Sequence, residues 1–160
     1  MRKISILLFA SVLLFCSCGK KVLFEESRTF ANHTWYRFEP EKFMVNATSV
    51  DDCYDIYITA QVDTGQFHAA ELPLSVNLYS PNGDRRMFPT TLVLRDAHGG
   101  WQGEIKGGVL TVTKNVRPYF FFNSKGEYRV ELAQTTHYYE VHGVQTIELK
   151  LVKAELEYPE

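Results

Sequence analysis

The residues with the clearest capacity for covalent chemistry are two cysteines near the start, in the stretch Leu13-Leu14-Phe15-Cys16-Ser17-Cys18. A thiol in such a place can be alkylated with a diacylglycerol and then become the new amino terminus when the preceding residues are cleaved away. Arg2 and Lys3 are followed by twelve mostly apolar residues, Ile4 to Phe15, and then by a small residue before a cysteine. That layout is a bacterial export signal. As a helix, twelve residues rise about 18 Å, short of a hydrocarbon core roughly 30 Å thick, so a permanent transmembrane helix is not expected. Acylation of the new terminus would supply the second hydrophobic signal that stable anchoring needs. Cys18 is the favoured attachment site because Ser17 before it is small. Cys16 is the alternative, with Leu13 well placed but bulky Phe15 adjacent.

Other reactive side chains are less organised. His137 and His142 stand five apart beside Tyr138, Tyr139 and Glu140. On a strand an odd separation puts them on opposite faces, and two histidines with one acid fall short of a persuasive zinc set. No metal is expected there. The same segment, through His137, Tyr138, Tyr139 and His142, is instead the expected partner surface. Asp51, Asp52 and Asp55 flank Cys53. A glycosidase needs two carboxylates roughly 5–10 Å apart across a cleft, which adjacency does not supply. Capping of a strand start is the simpler role, with calcium binding the lesser one. Cys53 reads as a buried small hydrophobe; were Cys16 the lipidated residue, a Cys18–Cys53 bridge becomes conceivable. In Tyr119-Phe120-Phe121-Phe122 successive rings alternate sides, so at least two belong to a core and the run is not a ready sugar platform. There is no Gly-x-Ser-x-Gly elbow, phosphate loop or His-Glu-x-x-His motif. A non-enzymatic protein without a cofactor or small-molecule ligand is expected.

These groups need a body to hold them, and the composition provides one. Without residues 1–17, 143 of the 160 residues remain, enough for one domain with a real core. Without Arg2 and Lys3, 15 basic residues face 19 acidic ones. That balance argues against a nucleic-acid partner and against a polybasic membrane patch. Nine Tyr and eleven Phe lean the chain toward strands.

Tyr54 to Val62 alternates strictly, with Tyr54, Ile56, Ile58, Ala60 and Val62 on one face. Leu72, Leu74, Val76 and Leu78 repeat the pattern, Pro73 arguing for a late start or an edge position. Ser80-Pro81-Asn82-Gly83-Asp84 predicts a tight turn into a hairpin partner from Arg86 to Leu94. Trp101 to Ile105, Val109 to Thr113 and Tyr119 to Phe122 follow as separate short strands. Tyr128, Val130 and Leu132 form another inward set, and Ile147, Leu149 and Leu151 the last. Thr34 to Phe38 is an aromatic strand stopped by Pro40, and Asn46 to Ser49 a turn. Eight or nine short strands punctuated by Gly, Pro and Asn predict an all-β fold, an antiparallel β-sandwich or related barrel. Immunoglobulin-like and jelly-roll-like topologies both stay open. The expected organisation is a lipoprotein signal peptide over 1–17, a lipid anchor and tether over 18–30, and a β-sandwich domain over 31–160.

The order of landmarks adds a resemblance. After the cysteine-bearing signal come Tyr54-Asp55-Ile56-Tyr57-Ile58, Pro81-Asn82-Gly83, Trp101-Gln102-Gly103, Gly126-Glu127-Tyr128, Leu132-Ala133-Gln134 and Gly143-Val144-Gln145-Thr146-Ile147-Glu148-Leu149. This resembles the gliding-motility lipoprotein GldH family of the Bacteroidetes over nearly the whole mature chain. Thr146-Ile147-Glu148 and Gln134-Thr135-Thr136-His137 depart from the family pattern. The resemblance implies a non-enzymatic envelope lipoprotein tied to gliding motility and the machinery around type IX secretion. Its partners would be the lipid bilayer, through the acyl anchor, and other envelope proteins. Many lipoproteins of Bacteroidetes-type bacteria that are flipped to the cell surface carry acidic residues directly after the anchor cysteine. On that resemblance, Gly19-Lys20-Lys21 here implies the outer membrane with the body facing the periplasm. The competing reading is a glycan- or calcium-binding sandwich lipoprotein, which needs exposed aromatics and nearby acids on one face. An envelope hydrolase comes third.

Overall fold

Alternation of apolar and polar side chains decides most of this architecture, because a strand with one apolar stripe must bury that stripe against another sheet. The computed structural model describes residues 20–155, and eleven strands form among them. They are β1 (Val22–Thr29), β2 (Thr34–Tyr36), β3 (Glu41–Ala47), β4 (Cys53–Asp63), β5 (Glu71–Tyr79), β6 (Arg85–Val93), β7 (Glu104–Lys106), β8 (Val109–Phe121), β9 (Gly126–Gln134), β10 (Glu140–His142) and β11 (Val144–Lys153). One sheet has the order β1-β11-β4-β8-β7 and the other β3-β9-β5-β6, with every pairing antiparallel. A small ribbon of β2 and β10 stands apart. The inner faces of the two large sheets share one core: Ile56, Ile58, Ala60 and Val62 of β4 with Ile147, Leu149 and Leu151 of β11, against Phe43, Val45, Leu74, Val76, Val130 and Leu132. The antiparallel β-sandwich expected from the sequence is the fold, and the faces expected for β4, β9 and β11 are the buried ones.

Four local readings are corrected. The segment 18–30, expected to be anchor and tether, contains β1, which pairs with β11 from Val22 opposite Val152 to Thr29 opposite Thr146. The sandwich therefore begins at Val22. As an edge strand β1 shows no clean alternation: Leu23 and Phe24 are consecutive and half-buried, and Glu25, Glu26 and Ser27 are exposed. Asn46 and Ala47, read as a turn, end β3, whose Phe43, Val45 and Ala47 are buried.

The other two corrections concern proline. Pro73 lies inside β5, an interior strand and not an edge. Its carbonyl accepts the Thr135 N–H at 2.9 Å just past the end of β9. The missing Pro N–H falls on that same side, where ladder pairing with β9 has already stopped at Leu74 opposite Gln134. Pro118 likewise fails to separate two strands. β8 runs through it, because pairing passes from Arg117 opposite Ile56 to Phe120 opposite Tyr54 and leaves Pro118 and Tyr119 as a bulge facing one residue of β4. Glu104 to Lys106 alone form β7, and Trp101 makes an isolated bridge to Arg95. The glycine after Trp101-Gln102 has a steric cause. Gly103 sits at φ 142, and a Cβ there would overlap the Thr111 carbonyl oxygen.

β7 covers the outer edge of β8 only at Val109, Leu110 and Thr111, so most of this thirteen-residue strand borders no further strand. Side chains close the flank. Lys114 Nζ donates to the Thr91 carbonyl of β6 at 2.9 Å, and Arg86 of β6 donates to the Phe121 carbonyl of β8 at 3.3 Å.

Candidate functional site

The expected partner residues sit on and beside the β2–β10 ribbon, which the core holds in place. Trp35 of β2 is opposite Val141 of β10, and both are buried. The Trp35 ring stacks on Phe30 at 4.9 Å, and its Nε1–H donates to the Glu39 carbonyl at 3.2 Å. Gly143 joins the ribbon to β11. Its N–H reaches the His33 carbonyl at 2.7 Å and its carbonyl takes the Asp63 N–H at 2.7 Å. At φ 85, with the Phe67 backbone nitrogen 2.6 Å from where a Cβ would stand, only glycine fits.

On this base the loop before β10 is fixed by one buried amide. Gln134 accepts from the Thr136 N–H and hydroxyl at 3.0 and 2.7 Å, and its own NH₂ donates to the Tyr138 carbonyl at 3.4 Å. Tyr138 and Tyr139 are left 61% and 59% exposed. The Tyr139 ring lies 5.7 Å from Tyr36 and 6.1 Å from Phe38, itself 75% exposed. His137 packs against Tyr138 with ring centroids 4.0 Å apart. His142 hydrogen-bonds the Thr34 hydroxyl through Nδ1 at 3.0 Å and approaches Glu140 through Nε2 at 3.5 Å. A groove of about 420 Å³ runs between this segment and the loop after β4, lined by Phe67, His68, Tyr138, Glu140 and His142 among others. Rigid, exposed aromatics beside an open groove suit macromolecular contact, since large rings bury much area for little lost side-chain freedom.

The expected surface of His137, Tyr138, Tyr139 and His142 is therefore one region. Tyr36 and Phe38, read only as strand residues, belong to it, and so does His68. The inclusion of Tyr36 and Phe38 depends on pairing across more than a hundred residues of sequence, as in Tyr36 opposite Glu140.

The acidic cluster is dispersed. Asp51 is exposed in the loop before β4, Asp52 pairs with Lys153 at 2.7 Å, and Asp55 is buried, accepting the Tyr119 N–H at 3.1 Å and the Tyr57 hydroxyl at 3.4 Å. All three lie at the end of the sandwich opposite Tyr138 and Tyr139, as β4 runs from Cys53 there to Asp63 beside Gly143. The single concave face of aromatics and acids that glycan binding would use is not formed by these residues. Phe120 and Phe122 are core, whereas Tyr119 and Phe121 are exposed. Cys53 is buried with its Sγ 3.5 Å from the Ala154 carbonyl. Among the described residues no group of three or more His, Cys, Asp or Glu is placed to hold a metal ion, and no helix is long and apolar enough to cross a membrane. Cys16 and Cys18 lie outside the described residues.

A family model for GldH lipoproteins matches residues 22–151. The chain belongs to that family. No curated protein and no solved structure matches it. The matched segment begins with β1 and ends within β11, so the GldH unit is the sandwich itself. Membership makes this a lipid-anchored protein of the cell envelope. The described chain enters the GldH sandwich at the end carrying Asp52 and Lys153, where the Lys153 N–H bonds the Lys21 carbonyl at 2.8 Å. The aromatic ribbon is at the other end, beyond β1, whose eight residues span about 27 Å.

At the end where the described chain begins, the hydrogen bond from Lys153 holds the Asp52 carboxyl below the usual carboxylate range, and the same contact raises Lys153. A carboxyl depressed in the folded state stabilises above its unfolded value of about 3.9 and loses that contribution as pH falls through the folded one. Asp52→Asn should flatten the acid limb of the stability profile below about pH 4 and leave it unchanged near neutrality apart from a small surface-pair loss. Urea midpoints across an acid pH series check this.

Proposed function

We propose that the protein is a non-enzymatic component of the gliding-motility or type IX secretion-associated envelope machinery, working by protein–protein contact from the periplasmic side of the outer membrane. Membership of the GldH family supports the setting. The observation that supports contact as the mode of action is the aromatic group of exposed Phe38, Tyr138 and Tyr139 with half-buried Tyr36, fixed by Gln134 and Trp35 at the end of the sandwich away from Lys20. An anchor at one end and a preorganised docking face at the other leave that face open to other envelope proteins.

A photo-crosslinking side chain placed at position 139 in intact cells should capture a defined envelope protein that the same probe at Glu127, on the outer face of β9, does not. With the probe kept at 139, Phe38→Ala together with Tyr138→Ala should lower that capture roughly tenfold or more, the size of a hot-spot loss. Stability of the variant should stay within about 0.5 kcal/mol, because both rings are exposed. Equal capture from both probe positions, or none from either, argues against this face as the working surface.

A further inference from the structure

Neither family membership nor the docking face accounts for the side chains at the anchored end of the five-stranded sheet. Arg117, Pro118, Tyr119 and Phe121 are exposed there, Tyr119 at 54% and Phe121 at 40%. The β8 bulge holds Tyr119 in the left-handed region at φ 51, with its N–H given to Asp55. Asp55 also takes the Tyr57 hydroxyl, and Tyr57 lines a shallow concavity of about 560 Å³ together with Lys20, Lys150 and Val152. Arg86 reaches the Phe121 carbonyl from the neighbouring sheet, and Val22 at the start of β1 is exposed as well. Aromatic rings with polar tips, exposed apolar groups and long basic side chains thus collect where the described chain begins.

We propose that this end of the sandwich is a second, non-covalent membrane contact, with Tyr119 and Phe121 seated at the headgroup boundary of the bilayer. Tyrosine bodies and tips suit that boundary, and Lys and Arg stems lie along apolar surface while their charges stay wet. Covalent reach selects this occupant over a protein. Lys20 is two residues from Cys18 and four from Cys16, at most about 7 or 14 Å of extended chain, so the bilayer is held beside this end. The inference rests on the lipid anchor, and not on which partner the far face binds. Asp52 is paired with Lys153 and Asp55 is occupied by its donors, but Asp51 is exposed, so the surface that fits is zwitterionic.

The test uses full-length acylated protein in phosphatidylcholine vesicles, with or without lipid brominated high on its acyl chains. Trp35 is buried, and Trp101 bridges Arg95 at the far end, so the native protein supplies an unquenched baseline. Tyr119→Trp and, separately, Phe121→Trp should each add emission, most of which brominated lipid removes. The Phe121 variant stands in if substitution in the bulge impairs folding. Added emission that brominated lipid leaves untouched in a folded variant overturns the proposal.

Discussion

Cys18→Ala is expected to abolish palmitate labelling and to shift the protein from the membrane fraction to the soluble one, while Cys16→Ala leaves both unchanged. Each buried methylene contributes about 0.8 kcal/mol, so an acyl chain of ordinary length contributes on the order of 10 kcal/mol, and a thioether-linked diacylglycerol places two in the bilayer. No exposed patch on a small sandwich offsets a loss of that size. The Tyr119 contact, if alone, would give at most transient binding. Ser17 is the small residue expected before the modified cysteine, and Lys20-Lys21 then stand beside the headgroups. Labelling lost in Cys16→Ala and kept in Cys18→Ala would assign the anchor to Cys16 and lengthen the free chain before β1 by two residues.

The second large effect concerns Trp35→Ala, which should lower folding stability by about 3–5 kcal/mol, a large share of the 5–15 kcal/mol usual for a domain. The ring is almost wholly buried, stacks on Phe30 and gives its N–H to Glu39, so truncation opens a cavity and leaves a half-buried carbonyl without its donor. Because Trp35 ties β2 to the core, the same change should loosen the ribbon and remove partner capture even below the unfolding transition. Trp35→Phe keeps most of the packing and should recover most of the stability. Urea denaturation gives the comparison, with an unchanged slope marking loss of stability and not of two-state behaviour. A cost under about 1 kcal/mol would mean that the ribbon is held mainly by the backbone bonds of Gly143 to His33 and Asp63.

Strands with a full apolar stripe were legible from the residues. β4, β9 and β11 each bury the side chains that alternation assigns. Legibility failed where a strand has only one neighbour or carries proline. β1 needs no second stripe because it lies at an edge, so nothing in Glu25-Glu26-Ser27 announces it. Pro73 and Pro118 looked like boundaries because a sequence does not disclose which side of a strand has a partner. The exposed aromatic surface was half visible. His137 to His142 stood out as polar and aromatic without alternation, but Tyr36 and Phe38 join it through a pairing between distant segments. The acids beside Cys53 illustrate the reverse. Neighbours in sequence, they part because Asp52 belongs to a loop and Asp55 to the outer face of β4.

The flank where β8 meets β6 bears on life at high density. Molecules confined to a membrane plane meet broadside, and a long bare strand margin is the feature by which such neighbours would zip into ribbons. Here Lys114 and Arg86 already occupy carbonyls along that margin, Pro118 offers no donor, and the kink beside it breaks the straight run a foreign strand would follow. Crowding many copies onto one leaflet is therefore not expected to zip them together through this flank.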